Sequence, residues 1–163
     1  MLLKLKNKEY LIIDEFKFKC SIGKKGLKLK KKEGDNCTPR GVFKIGKVYY
    51  RPDRIKKLDT ILKTKAITKN MGWCDDPYNK NYNKEIILNK KNKGEKLFRK
   101  DNVYDILIVI EYNTKKTQPF KGSAIFIHLT KNYSCTKGCI ALKKNDLLIL
   151  LKIIDRKSKI KIC

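Results

Sequence analysis

Apolar and polar residues alternate over short stretches through most of the chain, the period of half-buried strands rather than of helices. Residues 10–21 set Leu11, Ile13, Phe16, Phe18 and Cys20 against Lys17 and Lys19, which predicts one or two strands. Val42, Phe43, Ile45, Val48 and Tyr50 predict a strand over 41–50. Residues 103–112 (VYDILIVIEY) are β-branched and almost continuously apolar, which predicts a strand buried on both faces. Residues 124–129 predict another central strand, and 159–162 a last edge strand. One stretch has the helical period: Asn145 offers an N-cap, and Leu147, Leu148, Leu150, Leu151 and Ile154 follow, to about residue 155. Turn chemistry marks 23–26 as a turn and 30–40 and 72–84 as loops. Residues 52–70 allow strand or short helix, and 95–100 predict a helical turn. Residues 1–5 are apolar but interrupted by Lys4. With no repeat and no linker in view, the expectation is one domain over 1–163, mainly β, with one or two short helices.

Composition changes this picture little, but it narrows the partners. A chain of 163 residues has room for one proper core. Its 41 Lys plus Arg against 16 Asp plus Glu leave a formal charge of +25. Only Arg40, Arg51, Arg54, Arg99 and Arg156 are arginines, and nucleic-acid readers lean on arginine for bidentate contacts. No nucleic-acid partner is therefore expected. A lysine-rich solvated surface is the plain reading, and attraction to an anionic partner is the functional one. No apolar run reaches the roughly 18 residues of a membrane span. No secretory leader with its apolar stretch of roughly 7–15 residues is visible, which points to the cytoplasm. The six cysteines form no C-x-x-C pair, and reduced thiols are expected. No metal and no organic cofactor is implied.

The chemistry concentrates in residues 122–142, GSAIFIHLTKNYSCTKGCIAL. The only histidine, His128, ends an apolar strand, and Thr136-Lys137-Gly138-Cys139 follows it by eight residues. An imidazole can take a thiol proton and the thiolate can attack a carbonyl. Gly138 lets the backbone approach the reacting group, so that the Gly138 and Cys139 amides form an oxyanion hole. On residue types alone, a structural histidine and a buried, inert cysteine fit the same pattern.

The stretch resembles the signature of the YkuD-type L,D-transpeptidase catalytic domain, a His followed by Ser/Thr-x-Gly-Cys, and is most similar to its small single-domain Gram-negative subgroup. Further segments resemble that domain in order: 20–26 its opening glycine turn, 33–43 its G-x-x-x-T-P-x-G-x-F segment, Trp73 to Pro77 with Tyr82 and Asn83 a subgroup loop, then 95–99 and 104–113. The resemblance covers about 18–150. It implies a β-sandwich or barrel-like domain with Cys139 as nucleophile, His128 as base, and the Leu129 backbone carbonyl orienting the histidine. It also implies a peptidoglycan stem peptide as substrate, cleaved through a thioester on Cys139. Transfer to an amine gives a transpeptidase. Transfer to water gives an L,D-carboxypeptidase or amidase. Thr136, Lys137, Trp73, Asp75, Asp76, Tyr82 and Asn83 are the expected substrate-side residues. Thr136 is also expected to brace the Cys139 loop. The implied compartment is the cell envelope or periplasm, in conflict with the missing leader. From another class, a non-catalytic basic binder of an anionic polymer would leave the Cys–His pair incidental.

Overall fold

The alternating stretches fold as strands, and most of them join one sheet that closes on itself. A computed structural model describes residues 1–29 and 31–163. The elements in chain order are β1 (Leu2–Lys6), β2 (Tyr10–Ile13), β3 (Phe16–Ser21), β4 (Leu27–Lys28), β5 (Thr38–Pro39), β6 (Gly41–Tyr50), β7 (Thr64–Ala66), β8 (Met71–Trp73), β9 (Glu85–Ile87), β10 (Glu95–Lys96), β11 (Ile106–Ile110), β12 (Phe126–Leu129), β13 (Ile140–Leu142), α1 (Lys144–Ile153) and β14 (Lys159–Ile162). The order β11-β12-β13-β3-β2-β1-β14-β6 returns to β11, because β6 pairs β14 through its first half and β11 through its second. Closure through one long shared strand makes the domain mainly β and barrel-like.

The core inside the ring is built from the inward set of each strand: Leu3 and Leu5, Leu11 and Ile13, Phe18 and Cys20, Ile160 and Ile162. Helix α1 adds Leu147, Leu150 and Leu151 to it. On β11, Ile106, Ile108 and Ile110 enter this core, while Leu107 and Val109 enter a second cluster with Trp73, Leu97 and Phe126. A small sheet, β10-β8-β9, supplies Met71 and Trp73 to that second cluster. The expected double burial of β11 follows from this two-layer arrangement.

Several boundaries differ from the sequence expectation. Residues 2–6 form β1, since Leu3 and Leu5 point inward while Lys4 points out. The last strand, β14, is consequently no edge: it lies between β1 and β6. Glu95–Lys96 extends along β8 instead of making a helical turn, because cross-strand pairing overrides the local preference. Lys143, not Asn145, is the N-cap of α1, and it makes no side-chain cap bond; Asp146 in the first turn faces the helix dipole instead. The loop expected over 30–40 begins at Lys30, outside the described residues, and contains β5. Among the described residues no helix is long and apolar enough to cross a membrane.

Candidate active site

Strands β12 and β13 run parallel, with Ile127 opposite Ile140 and His128 opposite Ala141. Cys139 sits one step before β13 and therefore beside Phe126. Cys139 and His128 thus share one face of the sheet, a diagonal step apart, because residues two apart on a strand point the same way. That face belongs to the second cluster, so both groups are buried: 7% of each residue is accessible. A cavity of about 640 Å³ opens onto them, and its wall includes Cys135, Thr136, Lys137 and Gly138.

The histidine is oriented by its own chain. Its Nδ1 lies 2.9 Å from the Leu129 carbonyl oxygen. A carbonyl only accepts, so Nδ1 carries the hydrogen and Nε2 is left as the basic nitrogen. Tyr104 holds the ring edge-on at 5.3 Å between centroids. The Cys139 thiol donates to the Ala124 carbonyl at 3.2 Å, and its sulfur accepts the Phe126 N–H at 3.4 Å. Burial pushes this thiol up to about 12, and the Glu95 carboxylate adds to the shift. Burial pushes His128 down to about 4. The resting pair is therefore neutral thiol and neutral imidazole across the physiological range.

The turn carrying Cys139 is braced as expected of Thr136. Its hydroxyl donates to the Cys139 carbonyl at 2.6 Å and accepts the Gly138 N–H at 3.1 Å. The glycine turn at 23–26 backs it, with the Lys24 N–H on the Thr136 carbonyl at 2.9 Å. Gly138 has φ +145°, and a Cβ there would lie 2.8 Å from the Cys37 carbonyl oxygen. Both the backbone angle and the close approach demand glycine.

The other expected substrate-side residues divide into two groups. Lys137 and Asp75 line the cavity and are exposed. Partial burial, with Glu33 and Asp76 nearby, holds Asp75 above the usual carboxylate range. Trp73, Tyr82 and Asn83 are buried outside that wall. Trp73 Nε1 donates to Asn83 Oδ1 at 2.9 Å, and the Ala124 N–H donates to the same oxygen at 3.0 Å, so these residues set the path of the strand that leads to His128. Asp76 caps its own turn through the Tyr78 N–H at 3.0 Å.

The cavity also draws in residues that were not singled out as site residues. Glu33 accepts from the Tyr82 and Ser123 hydroxyls. Glu95 accepts from Tyr104 at 2.6 Å. Lys31, 3% exposed, reaches Asp35 at 2.7 Å. Glu33, Glu95 and Tyr104 do lie in the ordered motifs; their orientation toward one cavity arises only from tertiary packing. Among the described residues no group of three or more His, Cys, Asp or Glu side chains is placed to hold a metal ion.

The His128 shift has a measurable consequence for stability. Its folded value lies below the ordinary 6.5, so between 6.5 and about 4 the unfolded chain binds the extra proton. Stability present above pH 6.5 is lost as pH falls through that window, by about 3 kcal/mol from this group. Denaturant midpoints at pH 7 and 4.5 are expected to differ more for the wild type than for His128→Gln. Equal differences would remove the assignment.

No curated protein and no solved structure matches the chain. The model of the YkuD L,D-transpeptidase catalytic domain, however, matches residues 4–162 of the 163, and so the chain belongs to the YkuD family of transpeptidase-type enzymes.

Proposed function

We propose that the protein is a cysteine L,D-transpeptidase acting on peptidoglycan stem peptides, with Cys139 as nucleophile and His128 as general base. The observation that carries this reading is the pair itself: a thiol and an imidazole on one sheet face at one cavity, with Nε2 left basic by the Nδ1–Leu129 bond. Family membership supplies the peptidoglycan substrate.

In the proposed cycle, substrate binding displaces water and draws the Cys139 thiol from the Ala124 carbonyl toward Nε2. The S–H proton passes to Nε2 as sulfur attacks the scissile carbonyl carbon, forming the C–S bond. The carbonyl oxygen takes up negative charge near the Gly138–Cys139 backbone. The Gly138 N–H, which donates to Thr136 Oγ1 at rest, turns from the hydroxyl to meet this charge. The carbon–nitrogen bond then breaks, and the leaving D-amino acid takes the proton from His128. An incoming amine, deprotonated by Nε2, attacks the thioester and restores the thiol, so atoms and protons balance over the cycle. Water in place of the amine gives a carboxypeptidase or amidase. Asp75 and Lys137 place opposite charges on the wall, matching the amine and the carboxylate of diaminopimelate.

The test is a mass-spectrometric product assay on a disaccharide-tetrapeptide bearing diaminopimelate, with protein kept reduced. A cross-linked dimer is expected from the wild type. A tripeptide alone would replace the transfer reading with hydrolysis. Untouched substrate and no acyl adduct on Cys139 would overturn both.

A further inference from the structure

The charge of +25 is not explained by the cavity, which holds carboxylates as well as lysines. Strand register shows where part of it collects. Five neighbouring strands of the ring, β3-β2-β1-β14-β6, bury one side-chain set in the core and turn the other outward. One outward row runs Lys17, Ile12, Lys4, Lys161, Val42. The row beside it on one side runs Lys19, Tyr10, Lys6. The row on the other side runs Leu2, Lys159, Lys44. Seven of these eleven positions are lysine and none is acidic.

Chance solvation of a basic chain does not account for the arrangement. Lys4 lies directly opposite Lys161, and Lys159 directly opposite Lys44. Like charges directly opposed across strands destabilise a sheet. Among the described residues none of the seven lysines forms an ion pair that would relieve this. Of the seven, Lys17 lies over the Tyr10 ring at 4.0 Å and Lys19 over the Tyr133 ring at 4.9 Å. The four remaining outward positions are apolar, and Val42 and Leu2 are 55% and 39% exposed.

We infer that this sheet face docks on the surface of a bilayer containing anionic lipid. These five strands form one convex side of the closed ring, and Lys4, Lys6, Lys159 and Lys161, on the adjacent strands β1 and β14 at its middle, are the charges that meet a planar array of headgroups first. Lysine supplies point charge without bidentate reading, and its stem lies along apolar surface. Val42 and Leu2 decide for a bilayer over a polyanion, since the interface takes apolar side chains and charges together, whereas a polyanion in water answers only the charges. The face contains neither Cys139 nor His128, so the inference does not depend on the proposed reaction.

Sedimentation with phosphatidylglycerol-containing vesicles tests it. Binding is expected to fall with salt and to be absent on phosphatidylcholine vesicles. The variant Lys4→Gln, Lys44→Gln, Lys159→Gln, Lys161→Gln is expected to bind about a thousandfold more weakly, and to melt roughly 2–4 °C higher because the opposed charges are gone. Leu2→Ser with Val42→Ser is expected to weaken vesicle binding and leave binding to inorganic polyphosphate unchanged. Equal vesicle binding by wild type and the lysine variant overturns the face assignment. Binding to polyphosphate but not to vesicles, or vesicle binding indifferent to the serine pair, overturns the lipid assignment.

Discussion

His128→Ala is expected to lower product formation by about 10³-fold while the chain stays folded. A positioned general base contributes about 10²–10⁴-fold, and this site relies on its base heavily. With the thiol pushed up to about 12, the thiolate fraction near pH 8 is on the order of 10⁻⁴ without help from a neighbour. Nε2 supplies that help in the proposed cycle, and no second histidine exists to replace it. The stability effect is smaller and of two signs. The edge contact with Tyr104 is lost, about 0.5–1.5 kcal/mol, while the acid-side penalty of a buried neutral imidazole disappears. Circular dichroism and the denaturant midpoint at pH 7 separate a silent fold from a broken one. Cys139→Ser should be at least as inactive, because a hydroxyl in the same apolar setting is still harder to ionise. Added imidazole is expected to restore part of the rate to His128→Ala and none to Cys139→Ser. Turnover near the wild-type rate in either variant would remove the pair from the chemistry.

What could be seen in the sequence depended on how local each signal was. β6 spans 41–50 as its partial alternation predicts: Phe43 and Ile45 meet the core from its first half and, after a shift in register, Val48 and Tyr50 meet it from its second. β11 was visible for the opposite reason, since burial on two sides leaves a continuous apolar run. β1 was obscured by Lys4, although an inward Leu3, an outward Lys4 and an inward Leu5 are themselves the period of a strand. That strand needs β14 from the far end of the chain, a pairing that no window of sequence contains. The site divides in the same way. His128, Gly138 and Cys139 stand within one short segment, and their spacing made them candidates. Trp73, Tyr82 and Asn83 read from sequence as substrate-side residues, yet their hydrogen bonds support the backbone behind the cavity. Lys31 carries no signal in the sequence, one lysine among so many, until its burial is known.

Asp35→Ala is expected to destabilise the protein by about 3–5 kcal/mol, the cost of leaving a buried charge without its partner. Lys31 is 3% exposed, and its ammonium lies 2.7 Å from Asp35 Oδ1. The same carboxylate accepts the Lys32 N–H at 2.8 Å and the Cys37 N–H at 3.0 Å, so it also closes the loop before β5. Lysine and backbone donors together hold Asp35 below the usual carboxylate range despite its partial burial. This pair roofs the site: a Cβ at Gly138 would lie 3.6 Å from Lys31 Cε, and one at Gly122 2.9 Å from the same carbon. Removing both charges with Lys31→Met and Asp35→Leu should cost less than Asp35→Ala alone, because no orphaned ammonium remains. Chemical denaturation of the three proteins at pH 7 measures the order. If Asp35→Ala costs less than about 1 kcal/mol, Lys31 escapes to solvent and the roof over Gly138 is not fixed by this pair.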